Sequence, residues 1–164
     1  MPETSRPVLT DLRLPSPEAT AAFAARLSDR VGPGDLLCLD GDLGAGKTHF
    51  ARALIQHRQA APEDVPSPSF TLVQTYDTPD GEVWHADLYR LSDAWEVDEL
   101  GLADAFDAAL CLVEWPDRMA PDLPDRALWI SLRMVPDDAE ARDLTLSTLR
   151  PDFWAGRLAG LGAA

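Results

Sequence analysis

The residues best suited to chemistry lie in one glycine-rich segment, where Gly41, Gly46, Lys47 and Thr48 fit the pattern G-x-x-x-x-G-K-[ST]. Such glycines let backbone N–H groups converge on phosphate oxygens, and the following helix adds its positive N-terminal end. The lysine neutralises β- and γ-phosphate oxygens, and the threonine hydroxyl binds Mg²⁺. The pattern predicts a phosphate-binding loop (P-loop), with nucleotide contacts from Asp42, Leu43, Gly44, Ala45, Gly46, Lys47 and Thr48.

Lys47 is the only lysine of the chain, and every other cationic side chain is an arginine. Lysine carries a compact point charge, whereas arginine carries a wide planar fork. Only the compact charge suits a narrow cradle of backbone groups, so the exception at this position supports the P-loop interpretation.

A P-loop needs a second carboxylate to complete a magnesium site, and the run Leu-Cys-Leu-Val-Glu that ends at Glu114 has the expected form. Glu114 is the candidate direct or water-mediated Mg²⁺ ligand, and a surface glutamate at a strand end is the alternative. Asp87, in His-Ala-Asp-Leu-Tyr-Arg-Leu, is a second candidate because a carboxylate within a strand needs a cation or a partner. Spacing alone leaves open whether Arg90 is that partner. Trp115 either covers the nucleotide or caps the core.

Hydroxyl side chains follow the predicted P-loop helix in a proline-stiffened segment, where nucleotide-dependent switch segments occur. The candidate switch residues are Ser67, Ser69 and Thr71. An ordinary turn stabilised by serine and threonine hydroxyls is the alternative interpretation.

The elements that must position these residues follow from the hydrophobic pattern. The apolar run 36–39 predicts a buried strand, 47–58 the P-loop helix, and 110–113 a central parallel strand. Further strands are predicted at 8–14, 70–76, 82–90, 127–133 and 143–149, with helices from Pro17 to about residue 31, at 92–100 and at 153–161. The fold class is therefore α/β, a P-loop NTPase-like open sheet with central parallel strands, antiparallel hairpin extensions and flanking helices.

Length and charge limit the classes of function. The 164 residues predict a single domain over 1–164, and the formal net charge of −14 argues against direct binding of a nucleic-acid backbone. No apolar stretch reaches the roughly 20 residues of a membrane span, and the N-terminal residues do not resemble a secretory signal. We therefore expect a cytoplasmic protein without a membrane partner. Cys38 and Cys111 lie in apolar runs and are predicted to be buried and unreactive.

The P-loop, Ser-Pro-Ser-Phe-Thr-Leu, His-Ala-Asp-Leu-Tyr-Arg-Leu and Leu-Val-Glu-Trp-Pro-Asp-Arg, in this order, closely resemble the TsaE family, also called YjeE. The resemblance covers about residues 14–142. It implies a Mg²⁺-dependent ATPase that works with the TsaD and TsaB subunits in threonylcarbamoylation of adenosine 37 of tRNA. It also implies that hydrolysis resets that complex between turnovers, and that tRNA is contacted only indirectly.

The resemblance assigns roles position by position. Lys47 and Thr48 become the phosphate and metal residues of the P-loop, and Glu114 the second metal residue. The catalytic residues are then Lys47, Asp87 and Glu114, and either carboxylate could orient the attacking water. Trp115 matches the tryptophan beside the nucleotide. The chain departs from the family pattern at Ser69, usually threonine, and at His49, usually threonine or serine. Near the C-terminal hairpin the family often places an arginine close to the nucleotide, and Arg142 is the candidate here.

Three rival functions remain. A nucleotide-gated docking module with incidental hydrolysis would share every motif. A small-molecule P-loop kinase would need an arginine-rich lid, whereas the arginines here are scattered. A GTPase commonly uses an [N/T]-K-x-D element, for which no second lysine is available.

Overall fold

The chain forms one mixed sheet of seven strands with flanking helices. The computed structural model describes residues 6–68, 71–91, 95–119 and 123–161. The strands are β1 (Val8–Leu14), β2 (Leu36–Asp40), β3 (Val73–Thr78), β4 (Gly81–Asp87), β5 (Leu110–Glu114), β6 (Leu128–Val135) and β7 (Asp138–Ser147). The helices are α1 (Pro17–Ser28), α2 (Lys47–Arg58), α3 (Trp95–Leu100), α4 (Leu102–Ala105) and α5 (Pro151–Trp154), with a 3-10 helix at Pro116–Arg118.

The strand order is β1-β7-β6-β2-β5-β4-β3. β2 lies parallel to both β5 and β6, and β4 lies parallel to β5. The β3–β4 pair and the strands β6, β7 and β1 add antiparallel edges. The predicted fold class is therefore confirmed, with the parallel strands at the centre and the hairpins outside.

Strand β2 is apolar over residues 36–39, where both of its faces are covered. Leu37 and Leu39 pack with Phe23 of α1 and Phe50 of α2, while Cys38 on the opposite face joins a second cluster that includes residues of α4. Parallel strands buried on both faces have this continuous apolar character rather than an alternating one. Burial raises the pKa of both thiols, that of Cys111 to about 12, so neither cysteine is a nucleophile at neutral pH.

The carboxyl ends of the parallel strands meet beside the P-loop. In the register of the sheet, Asp87 at the end of β4 pairs with Glu114 at the end of β5, and Leu39 of β2 pairs with Glu114 from the other side. The P-loop begins directly after β2. Open α/β sheets bind their ligands at this edge, where the strand connections diverge.

Local signals explain the helices that flank the site. The Ser16 hydroxyl accepts a hydrogen bond from the backbone N–H of Ala19 at 3.1 Å, and Pro17 occupies the first turn of α1. Helix α1 ends at Ser28, before the predicted end near residue 31, and α2 has the predicted bounds. The predicted cap of α3 at residues 92–93 lies outside the described residues.

Two predictions near the C-terminus were wrong in extent. Strand β7 begins at Asp138, five residues before the predicted start at residue 143, because the reversal is completed at Asp137 with a φ of 69°. The predicted helix 153–161 is helical only over Pro151–Trp154 and continues as turns. Its contacts explain this: Arg30 donates hydrogen bonds to the carbonyls of Arg157 and Ala159, so these carbonyls are satisfied without a continuous helix.

The helices within the described part of the chain are all too short or too polar to cross a membrane.

Candidate nucleotide-binding site

The P-loop, residues 41–48, wraps around the N-terminal end of α2. Gly41, Gly44 and Gly46 have φ values of 154°, 82° and 103°, which side chains other than glycine rarely adopt. Gly46 stands at the N-cap of α2, so the first N–H groups of the helix face the loop interior. Backbone N–H groups at a helix N-terminus are suited to binding an anion, which is the role that the motif predicts.

Lys47 is 5% exposed, and its ammonium lies inside this loop. Its Nζ donates hydrogen bonds to the carbonyls of Gly41 at 2.5 Å and Asp42 at 2.9 Å, and lies 4.2 Å from the ring centroid of Trp115. Burial lowers the pKa of Lys47, and the negative charge of Glu114 opposes that shift most strongly. The site therefore holds a lysine charge in a partly desolvated position, where attraction to a negative charge is stronger than in water.

The Thr48 hydroxyl joins the P-loop to strand β5. Its Oγ1 lies 3.0 Å from both carboxylate oxygens of Glu114, to which it donates. Glu114 is 2% exposed and also contacts His85, whose Nε2 lies 2.7 Å from Oε2. Glu114 is thus a buried site carboxylate, and the alternative of a surface glutamate is wrong for this structure.

Asp87 lies beside this group at the end of β4 and is 5% exposed. Its Oδ2 accepts from the Ser67 hydroxyl at 3.1 Å, and its Oδ1 accepts from the backbone N–H of Tyr89 at 3.0 Å. The hydrogen bond from Ser67 brings the candidate switch segment to the site. The Thr71 hydroxyl instead accepts from the Gln74 side chain at 2.9 Å, and Ser69 lies outside the described residues.

Trp115 has a left-handed backbone, with φ 58° and ψ 52°. A bulky residue in this region is strained, and such strain concentrates at functional sites. The turn directs the indole over Lys47 and against Tyr89, with ring centroids 5.0 Å apart. The aromatic pair forms one wall of the site.

A cavity of about 290 Å³ contains most of the predicted site residues. The predicted residues among those that line it are Leu43, Gly44, Gly46, Lys47, Thr48, Ser67, Asp87, Glu114 and Trp115. The carbonyl of Asp42 accepts a hydrogen bond from Lys47, and the Ala45 side chain is buried in the core. His49 also lines the cavity, and its Nε2 lies 2.9 Å from the Pro17 carbonyl oxygen.

Arg142 is placed on the P-loop and does not line the cavity. Its Nε donates to the Ala45 carbonyl at 2.7 Å and one terminal nitrogen to the Gly44 carbonyl at 3.3 Å. It also donates to the carbonyls of Ala139 and Ala141 at 2.9 and 2.7 Å. The guanidinium therefore connects β7 to the carbonyl side of the P-loop; direct contact with a nucleotide stays a prediction.

Sequence reasoning missed His85 and Tyr89, although both belong to the segment that contains Asp87. His85 is two residues before Asp87, so the two side chains share one face of β4. That spacing was the available signal for His85. Tyr89 follows the strand and gave no comparable signal.

The oxygen ligands available at the site fit a magnesium ion bound together with a nucleotide. Thr48 offers a hydroxyl and Glu114 a carboxylate, both oxygen ligands that Mg²⁺ accepts. Within the described ranges there is no cluster of three or more His, Cys, Asp or Glu side chains suited to a metal. Mg²⁺ commonly binds through few protein ligands and completes its shell with phosphates and water, which agrees with this sparse set.

Comparison with known proteins assigns the chain to a family. The family described as "Threonylcarbamoyl adenosine biosynthesis protein TsaE" matches residues 14–144. The chain belongs to the TsaE family. It is thereby a P-loop NTPase-like, nucleotide-binding protein of tRNA threonylcarbamoyladenosine biosynthesis.

Individual relatives agree with this assignment. The TsaE protein of Rickettsia bellii is 37% identical over 132 residues, which cover 80% of this chain and 92% of that protein. The Bacillus subtilis TsaE is 36% identical over 138 residues, covering 84% of each. The crystal structure of Bacillus subtilis YdiB superimposes with a TM-score of 0.75 at 30% identity, covering 96% of this chain and 97% of that one.

Proposed function

We infer that this member of the TsaE family binds ATP with Mg²⁺ and hydrolyses it while acting with TsaD and TsaB in tRNA threonylcarbamoylation in the cytoplasm. One observation carries the inference. The Thr48 hydroxyl lies 3.0 Å from both oxygens of Glu114, directly after the buried Lys47. The cation that would bind phosphate, the hydroxyl that would bind the metal and the second carboxylate therefore lie together at one end of the sheet.

The chain's residues divide the chemistry among them. Lys47 and the P-loop N–H groups bind phosphate oxygens and stabilise the charge that develops there. Thr48 and Glu114 hold Mg²⁺, which when bound neutralises phosphate charge. Asp87 and Glu114 are the two carboxylates available to orient the attacking water, because both line the cavity. Trp115 and Tyr89 restrict access of bulk water from one side.

We propose that hydrolysis resets the partner complex between rounds of modification. Ser67 supports this proposal, because its hydrogen bond to Asp87 connects the candidate switch segment to the site. A change at the γ-phosphate would then alter the surface near the cavity mouth, as in other switch segments. The partners recognise the tRNA, and this acidic subunit contacts it only indirectly.

The test is multiple-turnover modification of tRNA with purified TsaD and TsaB and a supplied threonylcarbamoyl donor, with and without this protein and ATP. Lys47→Ala and Glu114→Gln are the test variants. Arg150→Ala is the control, since it removes a cation at an exposed pair with Asp152 near the opposite end of the sheet. We expect Lys47→Ala to lose ATP binding and repeated rounds, and the control to behave as wild type.

Glu114→Gln separates the two main hypotheses, because it keeps the shape of the side chain and removes its charge. If hydrolysis resets the complex, this variant binds ATP and supports one round only. Repeated rounds with Glu114→Gln would support the docking module with incidental hydrolysis. Modification that needs neither this protein nor ATP would overturn the proposal, and phosphate transferred to a small molecule instead of released would favour the kinase.

A further inference from the structure

His85 is a fully buried histidine that the proposed reaction has not used. It lies in the middle of β4, two residues before Asp87, and is 0% exposed. Its Nε2 is 2.7 Å from Oε2 of Glu114 on the neighbouring strand β5. A core position on a parallel strand normally takes an apolar side chain, so a histidine there needs a reason.

The hydrogen bonds identify the donor. Within the described part of the chain, Nδ1 of His85 has no hydrogen-bond partner. In neutral imidazole one ring nitrogen carries the proton and the other only accepts, and an ionised carboxylate only accepts. Because a carboxylate oxygen accepts, Nε2 is the ring nitrogen that donates the hydrogen bond to Glu114. In this orientation the imidazole ring makes a hydrogen bond to Glu114 and to no other group among the described residues.

Glu114 is consequently held by two donors from two different elements. Thr48 of α2 donates from the P-loop side, and His85 of β4 donates to Oε2 from within the sheet. The terminal torsion of a glutamate is broad and easily rotated, so one donor alone would not fix its carboxylate plane. A second donor from a buried strand restricts that rotation.

We propose that His85 is a positioning residue that fixes the Glu114 carboxylate in the orientation required to receive magnesium together with Thr48. This inference rests on the proposed Mg²⁺–ATP site and deepens it. Outer residues that orient a metal ligand typically change metal affinity about 10–100-fold when they are replaced. His85 acts through Glu114 and touches neither nucleotide nor metal.

The proposal predicts an effect on the coupling between magnesium and nucleotide, rather than on nucleotide binding alone. The P-loop and Lys47 bind phosphates without His85, so ADP binding in EDTA should be unchanged within about twofold. The factor by which Mg²⁺ strengthens ADP binding should fall about tenfold or more when the donor is removed. A merely structural histidine would lower thermal stability and leave that factor unchanged.

The experiment is calorimetric titration of ADP into the full chain, in EDTA and in Mg²⁺, for wild type, His85→Leu and His85→Gln. Leucine removes the donor, and the glutamine amide can place an N–H near the position of Nε2. His57→Leu is the matched control, because His57 is an exposed histidine at the end of α2, 3.1 Å from Asp29. Thermal unfolding of each variant verifies that it is folded.

We expect His85→Leu to lose most of the magnesium effect and His85→Gln to restore it, with His57→Leu equal to wild type. Equal magnesium effects in His85→Leu and wild type would overturn the proposal, as would equal losses in the leucine and glutamine variants when both are folded. If His85→Leu does not fold, the comparison of His85→Gln with wild type decides, and a loss of the magnesium effect there overturns it. A wild-type protein that binds ADP without any magnesium effect would instead contradict the proposed Mg²⁺ site.

Discussion

Arg142 contacts the P-loop through carbonyl oxygens of the loop. Carbonyl oxygens only accept hydrogen bonds and cannot bind phosphate oxygens, and here the guanidinium donates to those of Ala45 and Gly44. A planar fork can satisfy two such acceptors and also the carbonyls of its own strand, which an ammonium cannot do. At the scale of the residue, we therefore interpret Arg142 as a support for the N–H cradle.

Replacement of Arg142 distinguishes a structural role at the P-loop from a direct charge interaction with the nucleotide. Each of the two hydrogen bonds to the P-loop contributes about 1 kcal/mol, so Arg142→Ala should weaken ADP binding by up to about thirtyfold. Arg142→Lys keeps the charge but not the fork, and we expect a similar loss by calorimetry. Arg133→Ala, on the adjacent strand β6, is the control. Wild-type affinity in Arg142→Lys would show that charge toward the nucleotide, not the fork, is what matters.

The connection from β2 to α2 is the element on which the site depends. Gly41 is the first residue of the P-loop, and a Cβ there would lie 2.5 Å from the carbonyl oxygen of Leu132 in β6. Gly44 also has a positive φ, but a Cβ there would have open space within 4 Å. Gly41 is therefore needed because two backbone segments approach closely, whereas Gly44 is needed only for its positive φ.

Alanine substitutions separate these two needs. Gly44→Ala should lower the free energy of unfolding by about 1 to 3 kcal/mol, the usual cost of a strained backbone position. Gly41→Ala should lower it further, because the P-loop or β6 must also shift. Urea denaturation measures both. Equal losses in the two variants would mean that the contact with Leu132 relaxes at no cost.

The segment that follows β7 completes the larger hydrophobic core of the molecule. Trp154 of α5 is fully buried, and its indole N–H donates to the Arg126 carbonyl at 2.6 Å. Arg157 then pairs with the buried carboxylate of Asp35, just before β2. The C-terminal segment thus covers the amino ends of the strands, opposite the nucleotide site.

Trp154→Ala should lower the free energy of unfolding by about 3 to 5 kcal/mol, since a large buried side chain leaves a cavity. Trp154→Phe keeps an aromatic ring but loses the hydrogen bond, and we expect a smaller loss. Urea midpoints at constant slope measure both changes. A phenylalanine variant as unstable as the alanine variant would assign the contribution to the hydrogen bond instead of to packing.

The net charge predicts weak direct binding of tRNA. With 28 acidic and 14 basic side chains, the formal charge of −14 repels a phosphate backbone at long range. Isolated protein should retain tRNA on a filter only with a dissociation constant weaker than about 100 µM at physiological salt, the weak limit of ordinary non-specific binding. Tight binding that weakens steeply with salt would contradict indirect contact.

The sequence by itself determined the parts that depend on local chemistry. The P-loop, the apolar run before Glu114 and the cap at Ser16 each need only a few neighbouring residues, and Gly46, Lys47, Thr48 and Glu114 were identified from them. The parallel centre of the sheet followed from runs buried on both faces. Periodicity could not set the start of β7 at Asp138, because its polar residues support a turn as readily as an exposed strand.

Only the tertiary structure decided which distant residues meet. It brought the buried His85 to Glu114 across the β4–β5 register, joined Ser67 to Asp87 by a hydrogen bond, and placed Arg142 against the Ala45 carbonyl of the P-loop. These contacts join residues far apart in the chain, and their geometry depends on strand order and register. Local sequence determines the residues of a site, whereas packing of the whole sheet determines the partner of each one.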